Sequence, residues 1–179
     1  MLLATWKDSL TQLLTQQKHS PGHLPRIAVL GVGNPFRSDD AAGVMVARAL
    51  SDRARAADID CILVIEAGHA PENKTAELRA FSPDLVLIID AAEMGEMPGT
   101  VQWIPEESID GMSASTHSLP LSMLAHYLRL ELHCNVTFLG IQPACTEVGE
   151  SISGYVRQAL DEIVDVLNAL IISRYQTAA

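Results

Sequence analysis

The chain has 179 residues, a length that favours one domain, and 48% of them are hydrophobic, which is enough to form a buried core. Its 12 basic and 22 acidic residues give a formal net charge of −10, which argues against nucleic acid or an anionic membrane as the main partner. No apolar run is long enough to span a bilayer, the start lacks the basic-then-apolar pattern with a small-residue cleavage site, and the three scattered cysteines lack a C-x-x-C pair. We therefore expect a cytoplasmic protein without membrane insertion, a disulfide framework or a thiolate zinc site.

The first predicted element is an amphipathic helix, because apolar residues recur at helical spacing from Trp6 to Leu14. A segment rich in proline and glycine, HSPGHLP, follows it. We accordingly divide the chain into an N-terminal helical extension, residues 1–25, and a single α/β domain, residues 26–179. The apolar stripe of the extension either packs on this domain or docks on a partner.

The rest of the chain alternates strands and helices. Short apolar runs bounded by turn residues predict five strands: Arg26–Gly31, Cys61–Ile65, Asp84–Asp90, Thr100–Ile104 and Val136–Gly140. Helical spacing predicts helices that follow Asp39 and Asp40, near Lys74–Ala80, over Ser118–Arg129 with Pro120 in the first turn, and over Ser151–Ser173. This alternation indicates a three-layer α-β-α sandwich around a mostly parallel, twisted five-stranded sheet, with Thr100–Ile104 at an edge.

Polar residues concentrate in the loops that leave the carboxyl ends of these strands, where parallel sheets bind ligands. These loops are GVGNPFRSDD, EAGHAPEN, DAAEMG and GIQPACTE, and SASTHSLP precedes a helix. The first loop resembles a dinucleotide-binding turn, but Phe36 stands where the third glycine is required. What remains is a tight turn at Gly31 and Gly33 that lets another backbone segment approach closely.

Three side chains in these loops have the chemistry of a site. One of the adjacent Asp39 and Asp40 can cap a helix, which leaves the other to point into the cleft. Asp90 ends an apolar strand, where a carboxylate needs a metal, an arginine or a histidine as partner. His117 taken alone is more often structural than a ligand. Together, Asp40, Asp90 and His117 form a mixed oxygen and nitrogen set, which fits a divalent first-row metal with open positions.

Five ordered motifs resemble those of the [NiFe]-hydrogenase maturation endopeptidases. They are GVGNPFRSDDAAG, IEAGHAPEN, LIIDAAEMGEMPG, STHSLPL and FLGIQP, and they extend from about Ile27 to the C-terminal helix. The similarity is greatest to the branch that processes the large subunit of hydrogenase 3, the hydrogenase of formate hydrogenlyase. The resemblance implies a twisted five-stranded sheet between helices, in agreement with the strand and helix pattern.

The resemblance also implies an activity. The family removes a short C-terminal extension from the hydrogenase large-subunit precursor once nickel has been inserted. Its metal-contacting residues fall on Asp40, Asp90 and His117, which would recognise the nickel held by the substrate. We therefore expect an aspartic-type endopeptidase that acts as a monomer, with nickel recognised in the substrate and no firmly held cofactor.

Two positions depart from the family pattern. Glu66 stands where the family often has aspartate, and His69 stands where this branch has serine. Both, together with Asp39, are additional candidates for the site. The helix before about His23 lies outside the resemblance.

Several interpretations stay open at this stage. A serine hydrolase would use Ser115 or Thr116 with His117 and Asp90, but G-x-S-x-G is absent and adjacent serine and histidine seldom adopt nucleophile–base geometry. A non-enzymatic nickel-binding chaperone for the same precursor, or an α/β domain that binds a small ligand, would use the same residues. Cleavage itself could proceed through metal-activated water or through a carboxylate base.

Overall fold

The computed structural model describes residues 5–16, 24–104, 108 and 120–172. The strands are β1 (Ile27–Val32), β2 (Ile62–Gly68), β3 (Leu85–Ala91), β4 (Val101–Ile104) and β5 (Asn135–Ile141). The helices are α1 (Trp6–Gln16), α2 (Ala42–Ala57), α3 (Thr75–Phe81), α4 (Leu121–Leu132) and α5 (Gly154–Leu167). Short 3-10 turns at Ser38–Ala41 and Pro71–Lys74 precede α2 and α3. Within these ranges, no helix is long and apolar enough to cross a membrane.

The five strands form one sheet in the order β2-β1-β3-β5-β4. All neighbouring pairs are parallel except β4 and β5, which are antiparallel. The predicted mostly parallel sheet with β4 at an edge is therefore confirmed. Because the chain goes from β1 to β2 on one side and then to β3 on the other, the winding reverses between β1 and β3. A crevice opens at such a reversal, beyond the carboxyl ends of the two strands.

Alternation along the strands divides the core into two layers, one on each face of the sheet. Ile27 and Val29 of β1 pack in one cluster with α1, α2 and α5, while Ala28 and Leu30 pack in the other with α3 and α4. Strand β3 is buried over its whole length, as expected for a central strand covered on both faces. The three-layer sandwich is confirmed.

Helix α1 belongs to the same core as the domain. Trp6, Leu10 and Leu14 are buried in the cluster that contains the apolar face of α5. Lys7 Nζ lies 2.6 Å from the carboxylate of Glu162 on α5. Of the two roles open to its apolar stripe, the structure shows packing on the domain.

The beginning of α4 corrects one prediction. Pro120 was expected inside the first helical turn, but it lies just before Leu121 with φ −53° and ψ 135°, outside the helical region. Proline fixes φ and lacks an N–H, so it is as compatible with this position as with the first turn. The last helix begins at Gly154, where the Oγ of Ser153 accepts a hydrogen bond from Val156 N, and continues after Leu167 as a π turn over Asn168–Ile172.

Candidate active site

Helix α2 begins in direct contact with the carboxyl ends of β1 and β3. A Cβ atom built on Gly43 would lie 2.2 Å from the carbonyl oxygen of Ile89 and 2.3 Å from that of Val32. A Cβ built on Gly31 would lie 2.1 Å from the carbonyl oxygen of Gly43. Only glycine permits this approach, which confirms the close backbone contact predicted for the first loop. The segment before α2 is thereby held over the crevice between the two strands.

Gly33 lies between the two predicted acids. Its φ is +125°, and a Cβ there would lie 1.8 Å from the carbonyl oxygen of Asp40 and 3.8 Å from Oδ1 of Asp90. Asn34 N–H donates to both the carbonyl oxygen and Oδ2 of Asp40, each at 3.1 Å. Gly33 therefore lies against the backbone of Asp40 and near the carboxylate of Asp90, so both acids border the turn after β1.

Both carboxylates are buried. Asp40 is 1% exposed in the 3-10 turn that leads into α2, and Asp90 is 6% exposed near the end of β3. The N-terminus of α2 lies two residues after Asp40, and the positive end of a helix favours a negative charge there. A buried carboxylate at the carboxyl end of a parallel sheet can bind a cation or take a proton from water.

Asp39 has a different role from the one predicted. Neither Asp39 nor Asp40 caps a helix, because the residue before α2 is Ala41 and no side-chain cap is present. The fully buried Asp39 carboxylate instead accepts three backbone N–H groups, from Ala144 at 2.8 Å, Cys145 at 3.1 Å and Ser153 at 2.7 Å. It therefore ties the segment after β5 and the start of α5 to the turn that carries Asp40.

Gln142 organises the loop that follows Asp90, a role that was not predicted. Its Oε1 accepts N–H groups from Met94 at 2.7 Å and Glu96 at 3.3 Å, while its Nε2 donates to Glu93 at 2.9 Å. Gln142 is 5% exposed and directly follows β5. A buried amide after a strand is the only local signal, because its partners are distant in the sequence.

The remaining candidates lie around this pair or outside the described residues. Glu66 is exposed on β2, and its carboxylate is bound by Arg48 of α2 at 2.7 Å. His69 is exposed on the turn after Gly68, whose carbonyl oxygen accepts the N–H of Gly33 at 3.0 Å. His117, like Ser115 and Thr116, lies outside the described residues. Within the described ranges, no group of three acidic, histidine or cysteine side chains is arranged to hold a metal.

The fold places the chain among the doubly wound α/β proteins, which bind their ligands beyond the carboxyl ends of the strands where the winding reverses. Comparison with known proteins identifies the family. The family model of the hydrogenase maturation protease HycI matches residues 44–169 of this chain. The chain therefore belongs to this family of peptidases.

Individual relatives agree with this assignment. The hydrogenase 3 maturation protease of Escherichia coli K12 is 37% identical over 64% of this chain and 71% of its own length. A Methanocaldococcus jannaschii protein assigned as a hydrogenase maturation protease is 33% identical over 82% of this chain and 88% of its own. The crystal structure of a [NiFe] hydrogenase maturation protease from Thermococcus kodakarensis superposes with a TM-score of 0.78 at 28% identity, covering 91% of this chain and 98% of that one.

Proposed function

We propose that this chain is the cytoplasmic endopeptidase that removes the C-terminal extension of a nickel-loaded [NiFe]-hydrogenase large-subunit precursor. Family membership supports a peptidase, and its relatives are named for hydrogenase maturation. The observation that carries the proposal is the burial of two acids, Asp40 and Asp90, that both border Gly33 at the carboxyl ends of β1 and β3. The hydrogenase 3 type of precursor is the first substrate to test, because the motifs resemble that branch.

Asp40, Asp90 and His117 recognise the nickel carried by the substrate in this proposal. Carboxylate oxygens and imidazole nitrogen are ligands that divalent nickel accepts, and they would complete a coordination begun by the precursor's own ligands. A precursor without nickel then lacks the anchor that positions its peptide bond, so it is not cut early. Nickel is therefore part of the substrate, not a resident cofactor of the protease.

The cleavage step follows the aspartic type. One carboxylate of the pair takes a proton from water, the water oxygen attacks the scissile carbonyl carbon, and the proton passes to the leaving amine. Asp90→Asn distinguishes this step from metal recognition alone, because an amide oxygen still binds a metal but does not act as a base at neutral pH. We expect this variant to retain binding of the nickel-loaded precursor and to lose cleavage. If the variant instead binds the precursor weakly but cleaves the bound precursor at the normal rate, Asp90 serves recognition only.

The test of the function is incubation of the chain with nickel-loaded and nickel-free precursor, followed by the mass of each product. We expect a mass loss equal to the C-terminal extension for the nickel-loaded precursor only. A non-enzymatic nickel chaperone would bind the same precursor and leave its mass unchanged. Equal cleavage of both precursors would contradict recognition of nickel.

A further inference from the structure

Four large apolar side chains are exposed at the carboxyl end of the sheet. The exposed fractions are 76% for Phe36, 78% for Met97, 73% for Val148 and 69% for Tyr155. Phe36 follows β1, Met97 follows β3, Val148 follows β5, and Tyr155 is in the first turn of α5. We call these four residues the apolar collar. Phenylalanine, tyrosine and methionine are enriched in protein interfaces, and several exposed apolar side chains together mark an interaction site more strongly than single ones do.

Backbone contacts join the two members of the collar that follow β1 and β5. Gly149 N–H donates to the carbonyl oxygen of Phe36 at 3.0 Å, which places Val148 beside Phe36. The guanidinium of Arg37 donates through Nε to the carbonyl oxygen of Thr146 at 3.0 Å. The loops after β1 and β5, which carry Phe36 and Val148, are therefore joined to each other.

The other two members are joined through Gly99. Thr100 N–H donates to the carbonyl oxygen of Met97 at 3.0 Å, which closes the turn that carries Met97. A Cβ built on Gly99 would lie 2.7 Å from the carbonyl oxygen of Tyr155, so this turn rests on the first turn of α5. The turn that carries Met97 is thus in contact with the residue Tyr155.

Asp39 connects the two pairs to each other and to the acids. Its carboxylate binds Cys145 N–H, three residues before Val148, and Ser153 N–H, two residues before Tyr155. Asp40, one member of the acid pair, is the next residue in the chain. The segments that carry Val148 and Tyr155 are therefore tied to the turn of Asp40, where the proposed substrate must place its peptide bond.

We infer that the apolar collar is the docking surface for the hydrogenase large-subunit precursor, which it binds through an apolar patch beside the C-terminal extension. This inference rests on the proposed function. The occupant follows from position, because a folded precursor that delivers its extension to Asp40 and Asp90 must cover the residues around them. The collar supplies affinity and takes no part in bond breaking.

The test compares collar variants with matched variants on α4. Phe36→Ser and Met97→Ser each remove an exposed apolar side chain of the collar. Met123→Ser and Leu130→Ser remove side chains that are 57% and 64% exposed on α4. All four variants should keep the melting temperature of the unmodified chain, because no buried contact is lost.

We expect each collar variant to lower kcat/KM for nickel-loaded precursor by about tenfold or more, mainly through KM, since burial of one such side chain is worth about that factor or more in binding. The α4 variants should change it by less than about twofold. Unchanged kcat/KM in Phe36→Ser and Met97→Ser, with normal cleavage by the unmodified chain, would overturn the collar, as would a larger effect of the α4 variants. Absence of cleavage by the unmodified chain would instead overturn the proposed function. In that event the collar is tested by titration calorimetry of the same variants with the precursor. Equal affinities of the collar variants and the unmodified chain for the precursor would overturn the collar as a docking surface.

Discussion

Replacement of Asp39 with asparagine tests whether this buried acid holds the site together. Its Oδ2 accepts two backbone N–H groups and its Oδ1 accepts a third, at distances from 2.7 to 3.1 Å. Asparagine keeps one acceptor oxygen and turns an NH2 group toward the other donors, so at least one buried N–H loses its partner. The bonds that remain also lose the assistance of the negative charge.

The expected loss of stability follows from these contacts. A buried donor left without an acceptor costs about 1–3 kcal/mol, and loss of charge assistance on the remaining bonds adds a similar amount. We therefore expect Asp39→Asn to lower the free energy of unfolding by about 2–5 kcal/mol. Typical domains have about 5–15 kcal/mol in total, so this is a large fraction. Cleavage should fall as well, because Asp40 depends on the same turn.

Guanidinium unfolding followed by circular dichroism measures this loss. Asp161→Asn on the exposed side of α5 is the matched control, with an expected change within about 0.5 kcal/mol. A loss below about 1 kcal/mol in Asp39→Asn would show that the three N–H groups find other acceptors. That result would refute the role of Asp39 as the connection between the loops.

Three further predictions concern other parts of the chain. Gly33→Ala should destabilise the protein more than Gly95→Ala, and should abolish cleavage. Both glycines have positive φ, but only at Gly33 would the Cβ meet another backbone atom. Leu10→Ala should cost about 2–5 kcal/mol in thermal or chemical unfolding, since Leu10 is 1% exposed in the core beneath α1; an effect below about 1 kcal/mol would contradict the packing of this helix. Burial raises the pKa of the Cys134 thiol. The stability contributed by the protonated thiol is therefore complete below the ordinary thiol pKa, and it is lost as the pH rises through the raised pKa. Cys134→Ala should therefore lose less stability than the unmodified chain between about pH 7 and pH 10, and equal losses would contradict the raised pKa.

The central strands could be predicted from the sequence because they are buried on both faces. Prediction placed β1 at Arg26–Gly31 and β3 at Asp84–Asp90, each within one residue of the observed bounds. Continuous apolar runs between turn residues leave little choice of element or position. The location of Asp40 and Asp90 at one sheet edge follows from the same alternation of strands and helices.

The details of the site could not be predicted, because they depend on contacts between distant segments. Asp39 binds N–H groups more than a hundred residues further along the chain, and no local pattern distinguishes it from a helix cap. Gln142 holds the loop after β3 from the end of β5 for the same reason. Glu66 was a candidate by position, but strand pairing and the neighbouring Arg48 determine where its carboxylate lies.

The cytoplasmic location, the monomeric state and the contribution of His117 stay predictions from the sequence. His117→Ala provides the direct test of the last of these. We expect this variant to fold normally, to bind nickel-loaded precursor more weakly and to leave it uncut. Complete cleavage by His117→Ala would remove this histidine from the site.

The most direct measurement of the role of the acid pair is the mass of nickel-loaded precursor after incubation with the unmodified chain, Asp40→Asn or Asp90→Asn. Circular dichroism establishes beforehand that each variant is folded. We expect the unmodified chain to release the C-terminal extension and both variants to leave the precursor at full mass. Release of the extension by either folded variant at the unmodified rate would contradict the assignment of that carboxylate to the active site.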